Sequence, residues 1–279
     1  MLASFVITLR EGIEAALIVA IILAYLKKVN AKALAKPVYL GIAAGIMASV
    51  AVAAAFVVLS VEFEGELEQV FEGTTMFLAA AILTTMIVWM QKNSKAYSES
   101  LRQKVSLALS GKESFGLASL AFVSIFREGV ETVLFLGSAS FNTSGLQLLI
   151  GGAIGLGLSL AVAVAIIRYS VRVNLSTFFK VTGVLLVVFA AGLVAHGIHE
   201  FEEAGLIAPI VSNVYDINWF VDDHSALGRL MTALVGYNGN PSLSEILGYV
   251  GYWLFVAFAV YREGTVSTLR RILAHAWPS

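Results

Sequence analysis

Seven stretches of this chain stay apolar long enough to cross a bilayer as helix, and most polar residues gather between them. A helix needs about 20 residues to span the hydrocarbon layer. The stretches fall at 4–26, 37–60, 73–92, 115–140, 146–168, 178–198 and 243–262. They are continuous and do not alternate, which favours helices over a barrel. The longest break, 199–242, carries Asn-Gly-Asn-Pro at 238–241, a strong turn signal. Within it, 225–234 has the spacing of a short amphipathic helix, with Asp223 as its expected cap. A second short helix is expected at 94–110, between the third and fourth spans.

The composition agrees with an all-α integral membrane protein. Hydrophobic residues make up 58% of the chain and charged residues 13%, against about 45–50% and about 25% in soluble domains. So much apolar surface needs lipid as part of its solvent. The chain has no cysteine, which excludes disulfides, thiolate metal sites and thiol redox chemistry. Arg10 is the only base among the first ten residues, and no small-residue cleavage site ends a short apolar run. The first stretch is therefore expected to be a retained span. There is no Walker A pattern, so this chain does not itself use ATP.

The bases set an expected orientation. Lys27, Lys28, Lys32 and Lys36 separate spans one and two. Lys92, Lys95, Arg102, Lys104 and Lys112 separate three and four, and Arg168, Arg172 and Lys180 separate five and six. Arg262, Arg270 and Arg271 follow span seven. The opposite side holds only Arg229. The positive-inside rule then puts the N-terminus outside and the C-terminus in the cytoplasm. Acids show the reverse bias: Glu62, Glu64, Glu66, Glu68, Glu72, Glu200, Glu202, Glu203, Asp216, Asp222, Asp223 and Glu245 fall on the outer side. Such a face concentrates cations, although any one of these acids can equally be a solvated loop charge.

Two bases and four acids break the pattern by falling inside spans. Arg10-Glu11-Gly12-Ile13-Glu14 lies in span one, and Arg127-Glu128-Gly129-Val130-Glu131 lies in span four. A charge at the bilayer centre costs about 2.5–3.5 kcal/mol even on the most lenient scale. Six such residues call for partners, water or a ligand. Residues three or four apart share a helix face. Glu11 and Glu14 therefore point one way, as do Glu128 and Glu131, and each arginine sits one turn from the second glutamate of its motif. The central glycines would let another helix, or an ion, come close. Three crossings separate the two motifs, so spans one and four run in opposite directions. The chain then reads as two inverted three-helix repeats, 1–92 and 115–198, an extracytoplasmic loop at 199–242 and a seventh helix at 243–262, forming one transporter domain. Beyond the pentapeptide the halves share little obvious sequence.

Such a site would gather up to four carboxylates, Glu11, Glu14, Glu128 and Glu131, with Arg10 and Arg127 beside them. Carboxylate oxygens suit hard or borderline cations, leaving iron, manganese, magnesium and calcium open. Competing readings are buried ion pairs that only fix helix packing, a proton relay, and a carboxylate-bridged di-iron oxidase. The oxidase is disfavoured because neither motif helix carries a Glu-x-x-His pair. A candidate outer mouth comprises Glu68 and Glu72, one turn apart, with His196, His199 and Glu200 on one face at the end of span six; interfacial polar residues or a solvated turn explain them as simply. His224 and Asp222-Asp223 suit a capping or surface role. Arg262-Glu263-Gly264 reads as a flank of span seven. Trp89, Trp253, Tyr249 and Tyr252 suit interfacial or packing roles, and Thr74, Thr75, Thr84 and Thr85 helix packing.

Two Arg-Glu-x-x-Glu motifs in the first and fourth of seven spans resemble the high-affinity iron permeases of fungi and their bacterial relatives, within a wider iron/lead transporter family. The acidic stretch 62–73, His-x-x-His-Glu at 196–200, and the run from Asp223 through Leu-Gly (227–228) and Gly-Tyr (236–237) to Pro-Ser (241–242) extend the resemblance over nearly the whole chain. It implies a multi-pass permease of the cell membrane, not an enzyme, with iron as transported substrate and no prosthetic group. It also implies the motif glutamates as ligands on the path. Ferric iron is expected, after oxidation by a separate periplasmic or extracellular partner. Lead and manganese stay open as alternative cargo, and no nucleic-acid partner is implied.

Overall fold

A computed structural model describes residues 1–31, 34–93, 103, 107, 114–141, 143–169, 175–223 and 225–276, without the side chains of 91–93, 114, 167–169, 175–176, 226 and 262–276. The short helix expected at 94–110 lies outside the described residues apart from 103 and 107, and His224 lies outside them altogether. The elements are α1 (Leu2–Lys28), α2 (Ala35–Glu62), α3 (Glu66–Asn93), α4 (Ser114–Phe141), α5 (Gly145–Tyr169), α6 (Leu175–Glu203), α7 (Ala226–Val235) and α8 (Leu243–Ala276). Among the described residues there is no strand.

Five helices, α2, α3, α5, α6 and α8, are long and apolar enough to cross a membrane by length and composition. Helices α1 and α4 match them in length, but each holds one charged motif at mid-helix. Helices α2, α5 and α8 bury little of themselves in the bundle, whereas about half of α3 and α6 is enclosed. Large apolar side chains such as Met47, Val61, Leu149 and Leu254 stand exposed on the outer helices. Water does not favour a surface of that kind, and lipid does.

The helices pack in three close pairs, α1 with α5, α2 with α4, and α3 with α6. Small residues make each approach possible. Along α1–α5, Gly151 meets Met1 and Ser4, Gly155 meets Phe5 and Thr8, and Gly12 meets Ser159. The Thr8 hydroxyl donates to the Gly152 carbonyl at 3.1 Å, pinning the pair. Along α2–α4, Gly41 meets the Ala118 backbone, Gly45 meets Phe122 and Ile125, and Gly129 meets Ser49. Residue numbers rise together in both pairs, so each runs parallel. The α3–α6 pair runs antiparallel: Gly73 meets Phe201, Gly197 meets Phe77, and Gly183 lies against Ile87. The Phe77 and Phe201 rings sit 5.4 Å apart, centre to centre.

Beyond the pentapeptide, where little shared sequence was expected, these contacts pick out spacings common to the two halves. Gly41, Gly45 and Ser49 have the spacing of Gly151, Gly155 and Ser159, and Gly73 with Phe77 has the spacing of Gly197 with Phe201. Small residues four apart are common in membrane helices, so the match stands out only once the contacts are known.

Several boundaries move. Helix α3 begins at Glu66, seven residues before the expected start, so the acidic stretch 62–73 is mostly helix. The turn before it, 63–65, ends on Gly65 at φ +65°, a conformation glycine adopts without strain. Glu66 and Glu68 then suit the positive end of the helix dipole. Helix α6 continues to Glu203, and α8 to Ala276. Asp223 does not cap α7: Ser225 does, accepting from the Gly228 amide at 2.9 Å. Asp223 accepts instead from the Gly239 amide, at 3.0 and 3.1 Å. The far end of α7 closes on Gly236 at φ +71°, which rests on Gly192 of α6. The turn at 238–241 is present, and the Asn240 amide donates to the Asn238 side chain. Thr84 and Tyr252 share a hydrogen bond of 2.9 Å that ties α3 to α8.

Candidate metal site

Helices α1 and α4 touch where their motifs face each other. Carboxylate oxygens of Glu11, Glu128 and Glu131 all lie within 4.8 Å of one another, and all three residues are buried. Glu14 is buried beside them, 3.2 Å from Arg10 Nη2. Arg10 also reaches Glu11, with Nη1 at 3.6 Å, and donates from Nη2 to the Met90 sulfur at 3.2 Å. On α4, Arg127 Nε donates to Glu131 Oε1 at 2.7 Å. The i,i+4 reach of each arginine follows from helix geometry.

The central glycines are explained by helix approach. Gly12 admits Ser159 of α5, and Gly129 admits Ser49 of α2. Those serines donate to carbonyls of their own helices, Leu156 and Gly45.

The acids are under-satisfied. Both Glu11 oxygens, Glu128 Oε2 and Glu131 Oε2 are buried without a hydrogen-bond partner among the described residues. Buried polar atoms are nearly always paired, and leaving a charged one unpaired is costly. A cation among Glu11, Glu128 and Glu131 could take one carboxylate oxygen from each. The oxygen-only donor set suits a hard or borderline ion.

The five residues expected at an outer mouth do not meet at one point. His199 bonds on both sides, Nδ1 to Glu245 Oε1 at 3.1 Å and Nε2 to Glu203 Oε1 at 3.2 Å. Gln69 donates to the other Glu203 oxygen at 3.2 Å, and Glu72 stands within electrostatic range of Glu68, Glu200 and Glu203. Glu68, Glu72 and Glu200 thus line the α3–α6 seam, with His199 turned toward α8. His196 is buried one turn deeper and lines a small cavity with Ser138, Phe189, Gly192 and Thr232. The outer group that does converge is His199, Glu202 and Glu245. Sequence reasoning counted Glu202 and Glu245 only as outer acids. A signal for Glu245 was present in Ser242-x-x-Glu245, a capping box: the Ser242 amide donates to Glu245 Oε1 and the Glu245 amide to Ser242 Oγ, both at 3.1 Å.

An all-helical bundle with lipid-compatible faces and buried carboxylates on two touching helices defines a multi-pass membrane protein. The chain belongs to the iron permease FTR1 family, whose model matches residues 1–270. It is 33% identical over 264 residues to the putative inactive ferrous iron permease EfeU of Escherichia coli K12, covering 93% of this chain and 96% of that one. It is 34% identical over 254 residues to the ferrous iron permease EfeU of Yersinia pestis, covering 90% of each. An uncharacterized protein of Archaeoglobus fulgidus is 34% identical over 276 residues, covering 94% of this chain and 95% of that one. No solved structure matches. Family membership makes the chain a transporter, not an enzyme, with iron as its transported substrate, and sets aside the di-iron oxidase.

Proposed function

We propose that this chain carries iron into the cytoplasm through the carboxylate cluster of α1 and α4. Glu11, Glu128 and Glu131 supply the ligands that converge, and Glu14 adds a fourth carboxylate at the edge. Arg10 and Arg127 orient the glutamates and offset part of their charge. The observation that carries this reading is that one carboxylate oxygen from each of Glu11, Glu128 and Glu131 lies within 4.8 Å of the other two, in a buried cluster where four oxygens of these residues make no hydrogen bond among the described residues.

In this reading α1 to α6 and α8 are the seven spans, with the N-terminus outside. The strong bias of lysine and arginine to one side supports that orientation. Residues 1–92 and 115–198 form two inverted three-helix repeats. Two parallel pairs, α1–α5 and α2–α4, and one antiparallel pair, α3–α6, are the pattern that a two-fold axis in the membrane plane would produce. The acidic outer face gathers the cation.

The oxygen-only cluster favours ferric iron at the site, formed from ferrous iron by a separate oxidising partner outside the membrane. The names of the Escherichia coli and Yersinia pestis relatives favour a second reading, in which ferrous iron itself passes. Sealed vesicles loaded with chelator distinguish these. Uptake is compared for ferrous iron under reductant, ferric citrate, manganous and lead ions. Glu128→Ala and Glu131→Ala should each abolish iron uptake while the protein stays in the membrane. Full uptake by both variants would overturn the proposal.

A further inference from the structure

Outside the motif cluster, one stripe of α6 carries metal-binding chemistry: His196, His199 and Glu202 recur at three-residue spacing, each one turn from the next. Glu245, at the start of α8, closes against it. Ligand atoms of His199, Glu202 and Glu245 lie within 4.8 Å of one another. Glu245 is only 3% exposed, and its position is over-determined. The Ser242 amide and His199 hold Oε1, and the Asn238 amide group donates to Oε2 at 2.8 Å. The cluster therefore has a rigid wall, with His199 and Glu202 presented from one helix.

Two buried polar atoms in and beside this cluster make no hydrogen bond that the geometry supports. Glu202 Oε1 is buried with no hydrogen-bond partner among the described residues, and so is His196 Nε2. His196 is only 9% exposed, and it stands within electrostatic range of both His199 and Glu245. Its ring borders a cavity of about 10 Å³ lined also by Ser138 and Thr232, room for about one water-sized body. Ser138 lies on α4, two turns from Glu131 on the same face. The stripe thus leads from the outer end of α6 toward the motif carboxylates.

We propose that His199, Glu202 and Glu245 form a second cation site, in which the cation takes the place of the His199–Glu245 hydrogen bond, with His196 beneath it as the next ligand on the way inward. One imidazole with two carboxylates suits a borderline divalent transition cation, a softer preference than that of the all-carboxylate cluster. The outer site selects and loads; the motif cluster receives. That role as a loading site rests on the transport reading given above, whereas the binding does not.

The test uses purified full-length protein and cobaltous ion, whose visible absorption reports ligand type. Binding is measured by equilibrium dialysis and absorbance for wild type, for Glu11→Gln/Glu128→Gln/Glu131→Gln, and for that triple variant with His199→Ala or Glu202→Gln added. Glu245 is left intact because it also caps α8. The triple variant should keep one cobalt with a nitrogen-containing ligand set. Adding His199→Ala or Glu202→Gln should weaken it by at least the roughly 10-fold that losing even a supporting partner costs a metal site. His196→Ala in otherwise native protein should lower cobalt affinity less and slow iron uptake. No cobalt in a triple variant that elutes as monodisperse protein would overturn the outer site. So would cobalt binding unchanged by His199→Ala and Glu202→Gln. If all cobalt bound by wild type survives the triple substitution and is lost with His199→Ala, the outer site stands and the motif cluster fails as a cation site.

Discussion

The two copies of Arg-Glu-Gly-x-Glu are nearly identical in sequence and unequal in surroundings. Arg10 is 1% exposed, held between Glu11, Glu14 and Met90. The Arg127 side chain is 53% exposed, with Glu131 on its Nε. The difference comes from neighbours. Met90 of α3 lies against Arg10 Nη2, whereas the Arg127 side chain is left half exposed. One motif therefore carries a sealed countercharge. The other carries an arginine that reaches out of the cluster, and its glutamates lie with Glu11 at the centre. A short motif specifies which groups are present; the packing around it decides how strongly each charge is felt.

Breaking this contrast gives effects of graded size. Arg10→Gln leaves buried Glu11 and Glu14 without their cation, and stripping one partner from a buried pair costs about 3–5 kcal/mol. Thermal unfolding in detergent should fall steeply, or folded protein should not accumulate. The glycines come next. Gly12→Ala and Gly129→Ala would each drive a methyl into the facing serine, a crowding worth about 1–3 kcal/mol. Ser159→Gly should restore Gly12→Ala, and Ser49→Gly should restore Gly129→Ala. Gly41→Ala should resist such rescue, because it meets the Ala118 backbone. Failure of both rescues would show that the glycines serve something other than helix approach. The smallest effect is expected for Arg127→Gln, since half-exposed ion pairs contribute about 0.2–1 kcal/mol. A loss equal to that of Arg10→Gln would erase the proposed difference between the motifs.

Much of this was legible beforehand because membrane helices obey simple length and burial rules. The seven apolar stretches each coincide with a helix, and 225–234 coincides with α7 to within a residue. Ends were less legible. Glu66 to Glu72 read as loop because they are charged, yet acids are welcome in the first turns of a helix. The outer mouth was half legible. His199 was named from its spacing along α6, but Glu245 reaches it from 46 residues away, and no local pattern encodes that distance. The same holds for Gly151-x-x-x-Gly155, whose spacing is ordinary until α1 is seen lying along it.

The amino-acid order by itself determined that this chain is a bundle of lipid-compatible helices, with its bases biased to one side and paired carboxylates on two of those helices. It could do so because hydropathy, charge and i,i+4 spacing act within single segments. The tertiary structure alone decided that Glu11 meets Glu128 and Glu131, that Arg10 is sealed and Arg127 is not, and that Glu245 closes on His199. Each of those outcomes depends on which face of one helix lies against which face of another. That choice is made by the fit of side chains far apart in the chain, as where Gly12 admits Ser159.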